Sequence, residues 1–264
     1  MKLGIMQPYF FPYLGYFDLI NRTDRWIVFD VVKYAPKSWM NRNRVLDPSK
    51  DWQYINVPVD RHVGEGRICD VTVIEAKAAH ARILGQLLHY RKARAPYYTP
   101  VTELVNEAFA SHRGKLLRDL NLRTLLAVCN YLGIEINYDI LSEMHLTLPA
   151  IDHAGQWALE IAGALGAREY INPPSGRDIF READWRARGI DLSFTKPLDY
   201  HYPSGSYTFV ERLSILDVLM WNAPDAVKAH LDSLAAQATL EKISGLSRMT
   251  SSGCPLEPGE SIGT

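Results

Sequence analysis

The first thirty residues read as a strand, a turn, a short helix and a second strand. The apolar run Lys2–Met6 is typical of a buried strand, and Pro8 ends it because proline cannot donate a ladder hydrogen bond. A short helix is predicted at Tyr16–Asn21, and the β-rich run Trp26–Phe29 predicts the second strand. This βαβ start has a strong right-handed preference and predicts an α/β fold with a Rossmann-like, mostly parallel sheet.

The rest of the chain alternates short strand patterns with helical ones. Further strands are predicted at Trp52–Val59, Ile68–Ile74, Ile134–Leu141, Glu169–Asn172 and Leu192–Phe194. Residues 75–133 have helical periodicity and predict an inserted region of three helices, which Gly133 ends. Two later helices are predicted at Asp152–Leu165 and Leu213–Trp221.

The domain organisation follows from these elements. We predict one α/β domain over residues 1–225, with its helical subregion at about 75–133. Residues 226–264 are predicted to form a C-terminal helix and a flexible tail. The run TSSGCPLEPGESIGT after Met249 has the composition of a disordered segment.

Composition narrows the class of protein. The chain has 264 residues, of which 47% are hydrophobic and 22% are charged, as in a globular protein with a full core. Its net charge of -1 gives no general attraction to nucleic acid. No apolar run approaches the ~20 residues of a membrane span, and the first residues lack a signal peptide pattern. We therefore expect a cytoplasmic protein with a small-molecule substrate, for which a homo-oligomer is compatible with the sequence.

Aromatic residues are concentrated in Ile5–Ile20, which reads IMQPYFFPYLGYFDLI. Packing under the sheet is one interpretation. Three of the rings are tyrosines whose hydroxyls need partners, which favours a polar pocket. Gly15 permits close approach of a ligand, so we predict Gln7, Tyr9 and Gly15 in substrate binding and Tyr13 and Tyr16 in catalysis.

A second group of candidate residues follows the second strand. Ligands of open α/β sheets bind beyond the carboxyl ends of the strands, where Asp30 and the loop Val31–Asn43 are expected. Arginine forks and asparagine amides suit a phosphate or carboxylate. We predict Asp30 in substrate binding. For the loop, the alternative is a solvated surface segment, and the residues predicted to bind substrate are Lys33, Trp39, Asn41, Arg42 and Asn43.

Other patterns are weaker. His201, between two tyrosines, is a candidate acid/base, with a partly exposed loop histidine as the alternative. The spacing of Ser214 and Asp217 is typical of helix capping, and the run PPSGRD at 173–178 predicts either an anion site or a plain turn. Neither the histidines nor the three cysteines have metal-ligand spacing, so no metal site is predicted. Dinucleotide, P-loop and nucleophile-elbow motifs are missing from the sequence.

The runs Met6–Phe17 and Trp39–Asn43, the spaced Tyr90 and Ala95-Pro96-Tyr97, and Leu213–Asp217 resemble the WbqC-like family over roughly Met1–Asp225. This resemblance implies a role in bacterial O-antigen or other surface-polysaccharide biosynthesis, and it adds Tyr97 to the predicted substrate-binding residues. Family members tend to carry Asp-Asp-Val-Gln after the second strand. Here that run is Asp30-Val31-Val32-Lys33, which implies a different specificity.

A looser architectural resemblance is to the adenylyl-transferring HIGH superfamily. Its two histidines hold ATP phosphates, and the equivalent places here are Pro12 or Tyr13 and Tyr16. Tyrosine donates a hydrogen bond but does not become a cation, so this departure argues against ATP chemistry. The run Ile243-Ser244 with Arg248 weakly resembles that superfamily's second signature.

Three hypotheses remain, in decreasing order of preference. The first is a transferase or ligase that modifies a nucleotide-linked sugar intermediate, for example by acyl or aminoacyl transfer to an amino sugar. The second is an ATP-dependent, nucleotidyltransferase-like enzyme that activates a carboxylate. The third is a non-catalytic binding or scaffold protein of the same pathway. A nucleotide or nucleotide sugar is the candidate bound group in the first two.

Overall fold

The computed structural model describes residues 1–60, 66–112 and 114–251, with side chains as far as residue 242. Seven strands lie in these ranges: β1 (Lys2–Met6), β2 (Arg25–Val28), β3 (Arg42–Leu46), β4 (Trp52–Asn56), β5 (Tyr138–Ile140), β6 (Glu169–Asn172) and β7 (Asp191–Phe194). The helices of the same ranges are α1 (Leu14–Asn21), α2 (Ala76–Lys92), α3 (Tyr98–Ser111), α4 (Leu117–Leu132), α5 (Gln156–Ala164), α6 (Glu182–Ala187), α7 (Ile215–Trp221) and α8 (Pro224–Ser251).

Five parallel strands form the main sheet in the order β5-β2-β1-β6-β7. The chain runs outward from the central β1 through β2 to β5, and then returns to the other side of β1 for β6 and β7. This is a doubly wound arrangement, and the predicted α/β class with a mostly parallel sheet is confirmed. In such sheets ligands bind beyond the carboxyl ends of the strands, near the point where the strand order reverses. That point lies here between β1 and β6.

Helices cover both faces of the sheet. Leu3 and Ile5 of β1 pack on one face with Ile161 of α5 and Trp185 of α6. On the other face, Trp26 belongs to the larger core, to which α1, α4, α7 and α8 contribute. Alternate residues of a strand point to opposite faces of the sheet. Both faces of these short strands are apolar, and each packs against its own layer of helices.

Strands β3 and β4 form a separate antiparallel hairpin. Asn43, Val45 and Ile55 are buried on its inner side, which packs against the larger core. The loop expected at Val31–Asn43 therefore ends in a strand, because Arg42 and Asn43 already pair with β4.

The inserted region contains the three predicted helices, α2, α3 and α4. Gly133 follows α4 with a φ of 69°, the left-handed conformation that commonly ends a helix. Two strand predictions differ from the structure. Residues Ile68–Asp70 form a 3₁₀ turn flanked by isolated bridges, and the strand predicted at Ile134–Leu141 is confined to β5.

The C-terminal helix α8 begins at Pro224 and buries Val227 and Leu231 in the larger core. The tail predicted beyond it lies, from residue 252, outside the described residues, as do the side chains of Ile243, Ser244 and Arg248. Within the described part of the chain, no helix combines the length and the hydropathy needed to cross a bilayer.

The centre of the sheet provides a stability test. A Cβ added at Gly4 would lie 2.7 Å from the ring of Trp26, whereas one added at Gly85 in α2 meets nothing within 4 Å. We expect Gly4→Ala to lower the free energy of unfolding by ~1–3 kcal/mol through overpacking. The matched control Gly85→Ala should raise it by ~0.5–1 kcal/mol, because alanine favours the helix. Urea denaturation measures both, and equal effects would contradict the packing argument.

Candidate functional site

The loop between β1 and α1 lies at the carboxyl end of the central strand. Its residues Phe10 and Phe11 are fully buried, with ring centroids 4.9 Å apart. Phe11 has a φ of 39°, a value that bulky residues rarely adopt. The aromatic motif therefore turns inward here, and only part of it faces a pocket.

Side chains from distant segments hold the backbone of this loop. Asn43 Nδ2 donates to the carbonyl oxygens of Phe10 (3.1 Å) and Phe11 (2.8 Å). Ser214 Oγ donates to the Phe11 oxygen at 2.7 Å. From α4, Asn121 Nδ2 donates to the oxygens of Pro8 and Met40 at 2.8 Å each. These donors satisfy carbonyl groups that are buried away from water. Asn43, predicted to bind substrate, is 3% exposed, and its amide is used by the loop.

Tyr16 and Gly15 also serve the packing of this loop. Tyr16 is 1% exposed and donates its hydroxyl to the carbonyl oxygen of Gln7 at 2.8 Å. Burial raises the pKa of Tyr16 well above its usual value, so the hydroxyl stays protonated. A Cβ at Gly15 would lie 2.4 Å from Cε2 of Tyr13. Glycine here makes room for the Tyr13 ring.

Asp30 follows β2, as expected, but its carboxylate is fully buried. It accepts hydrogen bonds from Arg118 Nη1 at 2.7 Å and from the backbone N and Oγ of Ser142 at 3.0 and 2.7 Å. Arg118 also donates to Ser142 Oγ and, at 2.5 Å, to Glu143. This network ties the ends of β2 and β5 to the start of α4, and it occupies both oxygens of Asp30.

The outer side of the hairpin carries two arginines among aromatic rings. Arg42 Cζ lies 4.2 Å from the ring centroid of Tyr54. Arg44 Cζ lies 5.1 Å from Trp52 and 5.6 Å from Trp39, which is 40% exposed. We call these five residues the arginine–aromatic face.

The two arginines of this face differ from the paired arginines elsewhere. Arg25 and Arg118 contact carboxylates, whereas in the described residues neither Arg42 nor Arg44 forms an ion pair. The Nε atoms of both are buried and have no hydrogen-bond partner there. A buried donor without an acceptor carries a desolvation penalty, and no carboxylate of the described residues balances the charge of either guanidinium.

A pocket of about 190 Å³ lies beside this face. Its rings are those of Tyr13, Tyr200, Tyr202 and Phe209, and its charged residues are Asp199, Glu211 and Arg212. We call it the Tyr13 pocket. Arg44 Nη2 donates to the Arg212 oxygen at 3.3 Å, so the arginine–aromatic face and the pocket share a border. Burial raises the pKa of Tyr13, which makes its hydroxyl a donor and not a base, although Arg212 opposes the shift.

Behind the pocket, Asp217 accepts hydrogen bonds from the hydroxyls of Tyr90 and Tyr202. Burial raises the pKa of the Asp217 carboxyl to about 6, and the two hydroxyls oppose that shift. The predicted capping by Ser214 is confirmed, since Ser214 Oγ accepts from Leu216 N at 3.3 Å. Asp217 therefore bonds to both tyrosines and holds the ring of Tyr202 in the wall of the pocket.

The remaining predicted residues are more dispersed. Gln7, Tyr9, Asn41 and Tyr97 are half-buried, and Lys33 is exposed. Asn41 donates to the Val57 oxygen at 3.1 Å. His201 is exposed beside the Tyr13 pocket, with Nε2 2.9 Å from Asp199 and its ring 4.5 Å from Phe209. The structure thus brings Trp39, Arg42, Tyr13 and His201 to one region of the surface.

Several residues of this region were missed by sequence reasoning. A local signal was available for Trp52 and Tyr54, which are spaced two apart on a strand, as Arg42 and Arg44 are, and must share a face. Glu211, Arg212 and Tyr202 lie far away along the chain and had no such local signal.

A larger groove of about 970 Å³ runs between β6, β7, α1 and α8 and borders the Tyr13 pocket at 197–199. The described residues include no cluster of metal-ligating side chains.

Comparison with known proteins identifies the family of this chain. The model of the WbqC-like protein family matches residues 7–229. The chain belongs to the WbqC-like protein family. It is 28% identical over 235 residues to the uncharacterized protein Rv1507c of Mycobacterium tuberculosis, an alignment that covers 86% of this chain and 97% of the relative. No solved structure matches the chain.

The side-chain donors that hold the loop between β1 and α1 lead to a stability prediction. Asn43→Ala removes the donor of the Phe10 carbonyl and one donor of Phe11, so the free energy of unfolding should fall by ~2–4 kcal/mol. The control Asn106→Ala removes an exposed contact with His80 and should change it by less than ~0.5 kcal/mol. Chemical denaturation measures both. A loss at Asn43 no larger than at Asn106 would show that the loop does not depend on this side chain.

The buried Asp217 generates a pH prediction. Its pKa of about 6 exceeds the ordinary 3.8, so the folded state holds this proton more tightly than the unfolded state. The stabilising contribution is complete below the ordinary value and is lost as the pH rises through about 6. Relative to Asp217→Asn, the wild-type protein should lose ~1–3 kcal/mol of unfolding free energy across that interval. A difference between the two proteins that does not vary with pH would contradict this assignment.

Proposed function

We propose that this protein is a transferase that modifies a nucleotide-linked sugar in bacterial surface-polysaccharide biosynthesis, by acyl or aminoacyl transfer to an amino sugar. The observation that carries the proposal is the arginine–aromatic face, where Arg42 and Arg44 stand among aromatic rings without a carboxylate partner in the described part of the chain. The resemblance to proteins of O-antigen clusters supports the polysaccharide context.

The spacing of the two arginines suits a diphosphate. They are two residues apart on β3 and point to the same side, which puts their Cα atoms roughly 7 Å apart. Each guanidinium presents a planar fork of donors that matches phosphate oxygens. The Nε groups are covered by the protein, so a ligand would meet the Nη groups of the two guanidinium ions. Two phosphates of one ligand would therefore each meet one arginine.

The rings supply the other half of the binding site. Trp39 is exposed enough to stack on a base or a sugar, and Trp52 and Tyr54 hold the guanidinium groups in place by cation–π contact. The sugar would then extend to the shared border at Arg212 and end at the mouth of the Tyr13 pocket.

Two residues are proposed for the chemistry. Tyr13 donates a hydrogen bond to the reacting group, because burial keeps its hydroxyl protonated. His201, 2.9 Å from Asp199, is the candidate acid/base at the edge of the same pocket. Gln7, Tyr9, Asn41, Lys33 and Tyr97 stay predictions from the sequence.

Binding measurements test the proposal. Uridine and deoxythymidine diphosphate sugars should bind in calorimetry and raise the melting temperature of the protein. Arg42→Ala and Arg44→Ala should each weaken binding by at least ~10-fold, the equivalent of a lost charge-assisted hydrogen bond. Arg91→Ala, which removes an exposed arginine at the end of α2, is the matched control and should bind as the wild type does.

Two outcomes would overturn the proposal. One is the lack of a thermal shift with any nucleotide sugar of a broad panel. The other is binding of ATP with magnesium, together with pyrophosphate release that depends on a carboxylic acid, which would indicate the nucleotidyltransferase-like alternative.

A further inference from the structure

The Tyr13 pocket has aromatic walls. The ring centroids of Tyr200 and Tyr202 are 5.7 Å apart, and Tyr202 and Phe209 meet edge to face at 5.2 Å. The ring of Tyr202 is fixed from behind, because its hydroxyl donates to the buried Asp217. At about 190 Å³ the pocket is below the usual range of 300–1,000 Å³ for drug-sized ligands, so it suits a small molecule or one end of a larger one.

The charges on the rim of this pocket are of both signs. Asp199 has a partner in His201 at 2.9 Å. Glu211 and Arg212 are adjacent, exposed residues that line the pocket, and over the described ranges neither forms an ion pair with another side chain. One carboxylate and one guanidinium are therefore available to the same ligand.

The backbone holds these two side chains in an uncommon arrangement. Arg212 has a φ of 55°, in the left-handed region that residues with a Cβ seldom adopt. Arg44 Nη2 donates to its carbonyl oxygen at 3.3 Å, and Ser214 N donates to the Arg44 oxygen at 2.8 Å. Strained backbone that the surroundings hold in place is typical of ligand-binding positions.

We propose that the Tyr13 pocket binds the zwitterion of a small α-amino acid. The Arg212 guanidinium receives the carboxylate, and the ammonium group lies between Glu211 and the face of an aromatic wall. A simple anion would face the unpaired Glu211, and a simple cation would face the unpaired Arg212. A ligand that carries both charges satisfies both groups. The size of the pocket restricts the side chain to a small one.

This inference goes beyond the proposed function, because it assigns a second ligand class to the Tyr13 pocket and concerns binding alone. Its binding residues, Glu211 and Arg212, are not those of the arginine–aromatic face. Amino acid binding and nucleotide sugar binding are therefore separable by mutation.

The test uses the full chain with glycine and L-alanine, observed by saturation-transfer NMR and calorimetry. Both should bind saturably at millimolar concentration. Glycinamide lacks the carboxylate and acetate lacks the ammonium group, so each should bind at least ~10-fold more weakly than glycine. L-Tryptophan should not compete, because its side chain exceeds the pocket.

Variants locate the site. Glu211→Gln and Arg212→Asn, the latter chosen because asparagine tolerates a positive φ, should each weaken glycine binding by at least ~10-fold. Glu107→Gln, at an exposed carboxylate of α3, is the matched control and should have no effect. Circular dichroism and the melting temperature verify that the variants are folded.

Each result decides the proposal. Lack of saturable binding of glycine and alanine, equal binding of glycinamide or acetate, or unchanged binding by both variants would overturn it. Nucleotide sugar binding is measured on the same preparations. If it persists while amino acids fail to bind, the zwitterion proposal alone is overturned. If amino acids bind at Arg212 and nucleotide sugars do not bind, the proposed function fails and the amino acid site stands.

Discussion

The buried carbonyl groups of the loop between β1 and α1 determine how the rest of the structure is assembled. Phe10 and Phe11 turn the loop into the core, where its backbone oxygens need donors. Asn43 comes from the hairpin, Asn121 from α4 and Ser214 from the residue before α7. Three segments that lie far apart in the chain thus meet on one loop. Their contact orients the hairpin and the 197–214 segment, which together form the candidate site.

The distinctive aromatic motif is consequently divided between two tasks. Phe10, Phe11 and Tyr16 are core residues, whereas Tyr13 remains at the surface as a wall of the pocket. The chemistry that we propose lies on the outer surfaces of the elements that the loop holds. Arg44 connects the two surfaces, because its guanidinium belongs to the arginine–aromatic face and bonds to the backbone of Arg212. Displacement of the hairpin would therefore affect both ligands.

The parts of the fold that were predictable are those with a local signal. Strands β1, β2 and β6 are short apolar runs, and α4 has both helical periodicity and a glycine at its end, so neighbouring residues suffice to recognise them. The strand predicted at Ile68–Ile74 failed because its backbone bonds elsewhere. Ile68 N donates to the Val32 oxygen and Cys69 N to the Asp30 oxygen, which are contacts between segments that no local pattern contains.

The same distinction applies to the candidate site. The sequence by itself determined the α/β class and the family, and it singled out Tyr13, Trp39, Arg42 and His201. Only the tertiary structure decided that Asn43 and Asp30 satisfy buried backbone and side-chain groups, since burial depends on what packs over a residue. It also decided that Glu211 and Arg212 reach Tyr13, some two hundred residues away along the chain. Local periodicity reports which face of an element is apolar, but the partner of each polar group is set by three-dimensional packing.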